Sequence, residues 1–99
     1  MSDVKRWTVE IHLTEKTGVD EFEGDISVRT HAEARLSTGE TEALRGWGNA
    51  RKHPADPDVP QIGDELAAAR ALSDLAHRLL HAAAADIEAS TGALASPRS

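Results

Sequence analysis

Apolar and polar residues alternate strictly from Arg6 to Thr14. Trp7, Val9, Ile11 and Leu13 take one parity; Thr8, Glu10, His12 and Thr14 take the other. A period of two with β-branched residues predicts a half-buried strand. Residues 15–24 hold two glycines and the acids Asp20, Glu21 and Glu23 and read as a loop, with Phe22 as a plug on the core edge. A second alternation runs from Asp25 to Leu36, placing Ile26, Val28, Thr30, Ala32, Ala34 and Leu36 on one face. Ser37–Glu40 is a turn in which Gly39 can take a positive φ. A third strand, antiparallel to the second, runs from Thr41 to about Arg51. In it Leu44, Gly46, Gly48 and Ala50 oppose Arg45, Trp47, Asn49 and Arg51. Two strand glycines around Trp47 imply either a bulge, which turns the indole inward, or a close approach of the helix backbone. Both alternatives stay open at this point.

Residues 53–60, with three prolines, form a rigid connector. Asp58 and Gln61 fit a capping box, and Pro60 suits the first turn of a helix. From there Ile62, Leu66, Ala69, Leu72, Ser73, Ala76, Leu79, Leu80, Ala83 and Ile87 recur at helical spacing. This stripe is expected to face the sheet, with Ala76 and Ala83 in close approach. Gly92 is the expected stop, and residues 93–99 the expected disordered tail. The predicted architecture is α+β: a three-stranded antiparallel sheet packed on one long C-terminal helix, β-β-β-α, in a single domain over residues 1–92.

Composition narrows the function. The chain has 99 residues, 39% of them hydrophobic, and only three aromatics. Many apolar residues are alanines, so the core is thin. A helix of about 30 residues spans roughly 45 Å, whereas a strand of about ten spans only about 33 Å. Ala68, Leu75 and Ala82 widen the apolar surface beyond the main stripe. A second copy of the chain is the simplest covering, so a homodimer is expected. No cysteine is present, which excludes thiolate metal sites and cysteine nucleophiles. No apolar run is long enough to span a membrane, and the N-terminus lacks a signal-peptide core. A cytoplasmic protein is expected.

Candidate chemistry is sparse. Asp74, His77 and His81 share a helix face at spacings that suit a borderline metal ion. They supply at most three ligands beside Arg70 and Arg78, so no metal and no cofactor are expected. Glu10, His12, His31 and Glu33 share the outward sheet face, where a histidine and a carboxylate make an acid–base pair only inside a pocket. Cross-strand pairing on a wet face is the simpler outcome. No activated serine or phosphate-cradling glycine loop appears, so the chain is read as non-enzymatic and without a small-molecule substrate.

Charge is more informative. The chain carries −6 overall, which opposes long-range steering toward phosphate. The outward sheet face nevertheless gathers Arg6, Arg29, Arg35, Arg45 and Arg51 against Glu10 and Glu33. Arg29, Arg35, Arg45 and Arg51, with Trp47 as a stacking platform, are the candidate binding residues for RNA or for an acidic protein. A solvated face is the bland reading.

The run HPADPDVPQIGDELAAARALSDLAHRLL from His53 to Leu80 resembles the signature of a small actinobacterial family of unknown function with a dsRBD-like fold. RWTVEIHLTE, from Arg6 to Glu15, resembles its first strand, and GWGNARKHP its strand-to-loop passage. The resemblance implies the same β-β-β-α fold and homodimerisation. It also implies kinship with ribosome hibernation-promoting factors and a link to stress or dormancy, and it brings no catalytic residues. The leading expectation is a ribosome- or RNA-associated regulator; the alternative is a protein–protein adaptor using the same face.

Overall fold

A computed structural model of the chain describes residues 2–19, 24, 26–52 and 59–92. The elements are β1 (Trp7–Val19), β2 (Ile26–Thr38), β3 (Thr41–Lys52) and α1 (Pro60–Thr91). The strands form one antiparallel sheet in the order β1-β2-β3, and the helix packs on one side of it. This is the predicted β-β-β-α fold. The expected Phe22 plug, residues 53–58 of the proline connector and the 93–99 tail lie outside the described residues.

β1 outruns its predicted end by five residues. Lys16 faces Arg29, Thr17 faces Val28 and Val19 faces Ile26. The glycine and charges here read as a loop, but β2 offers a continuous ladder, and cross-strand pairing overrides intrinsic preference. Gly39, at φ 74°, makes the β2–β3 turn. Among the described residues the one register shift lies between Leu36 and Ser37: Leu36 faces Leu44 while Ser37 faces Glu42, leaving Ala43 as the extra residue. No bulge occurs at Trp47, which faces Glu33 and points outward. Gly92 ends the helix at φ 70°, its N–H donating to the Glu88 carbonyl at 2.7 Å. At the other end the N-cap is Val59 rather than the expected Asp58, and it makes no side-chain bond. Gln61 donates forward to Glu65 rather than reaching back.

The strand glycines serve a close approach. A Cβ on Gly46 would stand 2.6 Å from the Ala71 carbonyl, and one on Gly48 would overlap the Ala71 amide and the Ala67 carbonyl. Only backbone hydrogen atoms fit there. The core is accordingly alanine-rich: Ala32, Ala34 and Ala50 from the sheet against Ala67 and Ala71 from the helix, with Leu36 and Leu75 as its larger members. Leu44 and Leu79 close one end.

The helix is therefore turned round relative to the predicted orientation. Ala67, Ala71 and Leu75 face the sheet, whereas Ala76 and Ala83 are exposed. Ile62, Leu66 and Leu72 remain 41–47% exposed and Ile87 53%. Two forces set this rotation. Alanines let the helix backbone reach the glycine trough, which leucines would hold away. The free edge of β3 also needs partners: the Asp74 carboxylate accepts from the Trp47 N–H at 2.9 Å, and Arg70 donates to the Asn49 carbonyl at 2.6 Å. With those two residues tied to the edge, the row Ala67–Ala71–Leu75 lies over the sheet. The helix lies on β3 and β2 and barely touches β1. Trp7, Val9, Ile11 and Leu13 of β1 share the helix-side face and stay 38–56% exposed.

Candidate binding face

The outward sheet face divides into two ends of different character. At one end Arg35 faces both Glu10 and Arg45 across the strands, and the charges there are paired. Arg35 Nε donates to Glu33 Oε1 at 2.8 Å, and Arg45 Nη1 donates to the same oxygen at 3.0 Å. Arg45 also forms a two-point pair with Glu42, through Nε and through Nη2 at 3.1 Å. The hydrogen bond from Arg35 holds Glu33 below the usual carboxylate range. The bond from Arg45 does the same for Glu42, and that pairing raises Arg45 in turn. Arg35 and Arg45, both predicted binding residues, are thus already engaged.

At the other end one row crosses all three strands: Lys16 faces Arg29, and Arg29 faces Arg51. All three are exposed, and none is in an ion pair among the described residues. They line a shallow groove of about 350 Å³ together with Thr17, Gly18 and Ser27. Like charges directly opposite one another destabilise a sheet. Bound anions would relieve that repulsion. Arg29 and Arg51 were legible as binding candidates; Lys16 was missed because its segment read as a loop.

Trp47 is 40% exposed. Arg78 reaches round the β3 edge and places its guanidinium 4.8 Å from the ring centroid, while donating to Asp74 at 2.9 Å. The indole is therefore partly covered by a cation–π contact. The Trp47 N–H first, and Arg78 second, lower the Asp74 pKa.

The histidines hold local partners. His12 meets Glu10 at 3.1 Å, and His31 meets Asn49 at 2.8 Å rather than Glu33. His77 and His81 contact each other at 3.2 Å, with Asp74 turned away toward the sheet edge. Among the described residues no three His, Cys, Asp or Glu side chains converge to hold a metal ion. No helix among them is long and apolar enough to cross a membrane.

Sequence comparison places this geometry among relatives. The family model described as Rv2632c-like matches residues 5–96, which includes every strand and the helix. The chain belongs to the Rv2632c-like family. It is 50% identical over 88 residues to the uncharacterised protein MT1780 of Mycobacterium tuberculosis, covering 89% of this chain and 82% of that one. It is 49% identical over 80 residues to the uncharacterised protein Rv2632c of the same species, covering 81% and 85%. The expected actinobacterial family is thus the Rv2632c-like one, and its mycobacterial members carry no assigned activity in their names.

Proposed function

We propose that this Rv2632c-like protein is a non-enzymatic, cytoplasmic binding protein of stressed or dormant cells, associating with the ribosome through RNA phosphates. The row Lys16–Arg29–Arg51 carries this reading. It is a line of three cations held at strand spacing without a carboxylate among the described residues, on a chain that is otherwise acidic. Neighbouring strands lie about 4.8 Å apart, so the three charges fall within roughly 10 Å and can follow a sugar–phosphate backbone. Ser27, on the same parity as Arg29, adds a hydroxyl donor in the same groove. Kinship with hibernation factors, as the sequence resemblance implies, points the same way. The adaptor reading uses the same row against an acidic protein.

Co-sedimentation with ribosomes from stressed cells is the test. Association is expected to be lost in the triple variant Lys16→Glu/Arg29→Glu/Arg51→Glu and kept in Arg35→Gln/Arg45→Gln. With about three phosphates neutralised, the slope of log K against log salt on single-stranded RNA is about −2, so raising salt from 50 to 200 mM weakens binding roughly twentyfold. A ribosome or RNA association indifferent to the triple variant would overturn the assignment. Capture of an acidic protein without RNA would favour the adaptor.

A further inference from the structure

The structure leaves two apolar surfaces open on the same side of the sheet. One is the helix-side face of β1, with Trp7, Val9, Ile11 and Leu13 at 38–56% exposure. The other is the outer stripe of the helix: Ile62, Leu66, Ala69, Ser73, Ala76, Leu80, Ala83 and Ile87, spaced alternately by four and three residues. That stripe lies on the far side of the helix from Ala67, Ala71 and Leu75. The whole 62–87 segment is thus apolar on two opposite sides. An apolar stripe on a helix is the face that packs against a partner, yet only the sheet-side one is covered.

The two open surfaces fit each other. The β1 face is one strand wide and carries large side chains. The middle of the helix stripe carries Ala69, Ser73 and Ala76, so large residues would meet small ones, the pattern by which packed layers interdigitate. Trp7–Leu13 and the helix stripe contain no charge on these faces, and the β1 face meets its first charge at Glu15, beyond Leu13. By rise per residue, the helix stripe is roughly 37 Å long and about 10 Å wide, and the β1 row is roughly 20 Å long. Together they offer roughly 500 Å² per partner, the low end of the range for specific interfaces.

We propose that a second copy of the chain covers both surfaces at once, each helix lying on the β1 face of the other chain. The layers are then sheet, helix pair, sheet. Asp74 and Arg70 tie one flank of the helix to the free edge of β3, so the opposite flank, with Leu72 and Leu79, looks toward β1. In the dimer that flank meets its counterpart. The two-fold axis that exchanges the sheets while keeping the helices side by side runs along the helices, which are therefore parallel. Levels along the helix are preserved by this symmetry. Leu13 shares its cross-strand row with Ala32 and Gly48, and Gly48 lies against Ala67 and Ala71. Leu13 of one copy thus meets Ala69 of the other. Both outward sheet faces remain in water, pointing in opposite directions.

Sedimentation equilibrium on the full chain tests this by charge complementation. The wild type is expected at about twice 10.6 kDa. Leu13→Glu and Ala69→Lys, both at positions exposed in the single chain, are each expected to associate at least tenfold more weakly while keeping the wild-type circular dichroism spectrum. Mixed in equal amounts they are expected to dimerise again, because one contact is then wild type and the other sets the new carboxylate against the new ammonium. The chain has no cysteine, so a second measurement is clean even where a charged variant misfolds. A short bis-maleimide should join a Leu13→Cys chain to an Ala69→Cys chain more than either to itself. A wild type that stays monomeric at hundreds of micromolar, or a mixture no more associated or cross-linked than its parts, overturns the proposal.

Discussion

The two faces of α1 show how little side-chain size says about burial. The face on the sheet is alanine-rich, and Ala67 and Ala71 are fully buried. The far face holds isoleucine and leucine, and Ile62, Leu66 and Ile87 stay 45–53% exposed. The difference follows from the sheet. β3 presents Gly46 and Gly48, and β2 presents Ala32 and Ala34, so the strongest available fit is backbone against backbone. Dispersion attraction across such a contact is dense although each side chain is small. On the arrangement proposed above, the larger residues of the far face are the ones left for the second copy.

The contrast is most sharply broken at the glycines. Gly48→Ala drives a Cβ into the Ala71 amide and the Ala67 carbonyl, and neither can move without lifting the helix. Overpacking of this kind costs about 1–3 kcal/mol and occasionally more. The upper end is expected because the obstacle is backbone rather than a flexible side chain. Urea denaturation should show a lowered midpoint; an unchanged midpoint would mean that the helix does not sit in the glycine trough.

Ala76→Leu separates the two faces directly. Reading the larger apolar residues as the core stripe puts Ala76 against the sheet, where an added isobutyl group would be costly. In the structure Ala76 is exposed. In the Leu13→Glu background, which keeps chains apart on the arrangement proposed above, the substitution is expected to change stability by no more than about 0.5 kcal/mol. A loss of several times that value would restore the orientation that periodicity alone suggests.

Much of the fold was legible because local rules agreed with it. Alternation marked the strands, Gly39 the hairpin turn and Gly92 the helix end. The paired glycines announced a close approach, although the bulge that exists lies at Leu36–Ser37. What stayed hidden depended on long-range partners. Helix rotation is fixed by Asp74 and Arg70 at the β3 edge, and periodicity cannot reveal that alanines would outrank leucines there. The binding face was half legible for a similar reason. Parity placed Arg29, Arg35, Arg45 and Arg51 together, but only the register shows that Glu33 and Glu42 occupy two of them. The same register brings Lys16 into line with the other two.

The smallest expected effect concerns the anchor that chooses between the helix faces. Asp74 accepts the Trp47 N–H and the Arg78 guanidinium, and both favour its charged form, so its folded pKa lies below the ordinary 3.8. Between the ordinary value and the lowered one, the unfolded chain binds more protons than the folded one. Stability from this carboxylate is therefore complete above about pH 4 and is lost as pH falls through the folded pKa. Glu33 and Glu42, also lowered, give an acid slope of their own below the ordinary 4.5, so the wild-type curve alone cannot isolate Asp74. The difference between wild type and Asp74→Asn can. An asparagine oxygen still accepts from Trp47 but offers Arg78 no charge. The wild type is expected to melt higher at pH 7, with the gap closing toward pH 2 as the carboxylate takes its proton. A gap that stays constant across this range would assign the anchor to hydrogen-bond geometry alone. The helix rotation would then owe nothing to the Asp74 charge, leaving the glycine trough as the feature that selects the inward face.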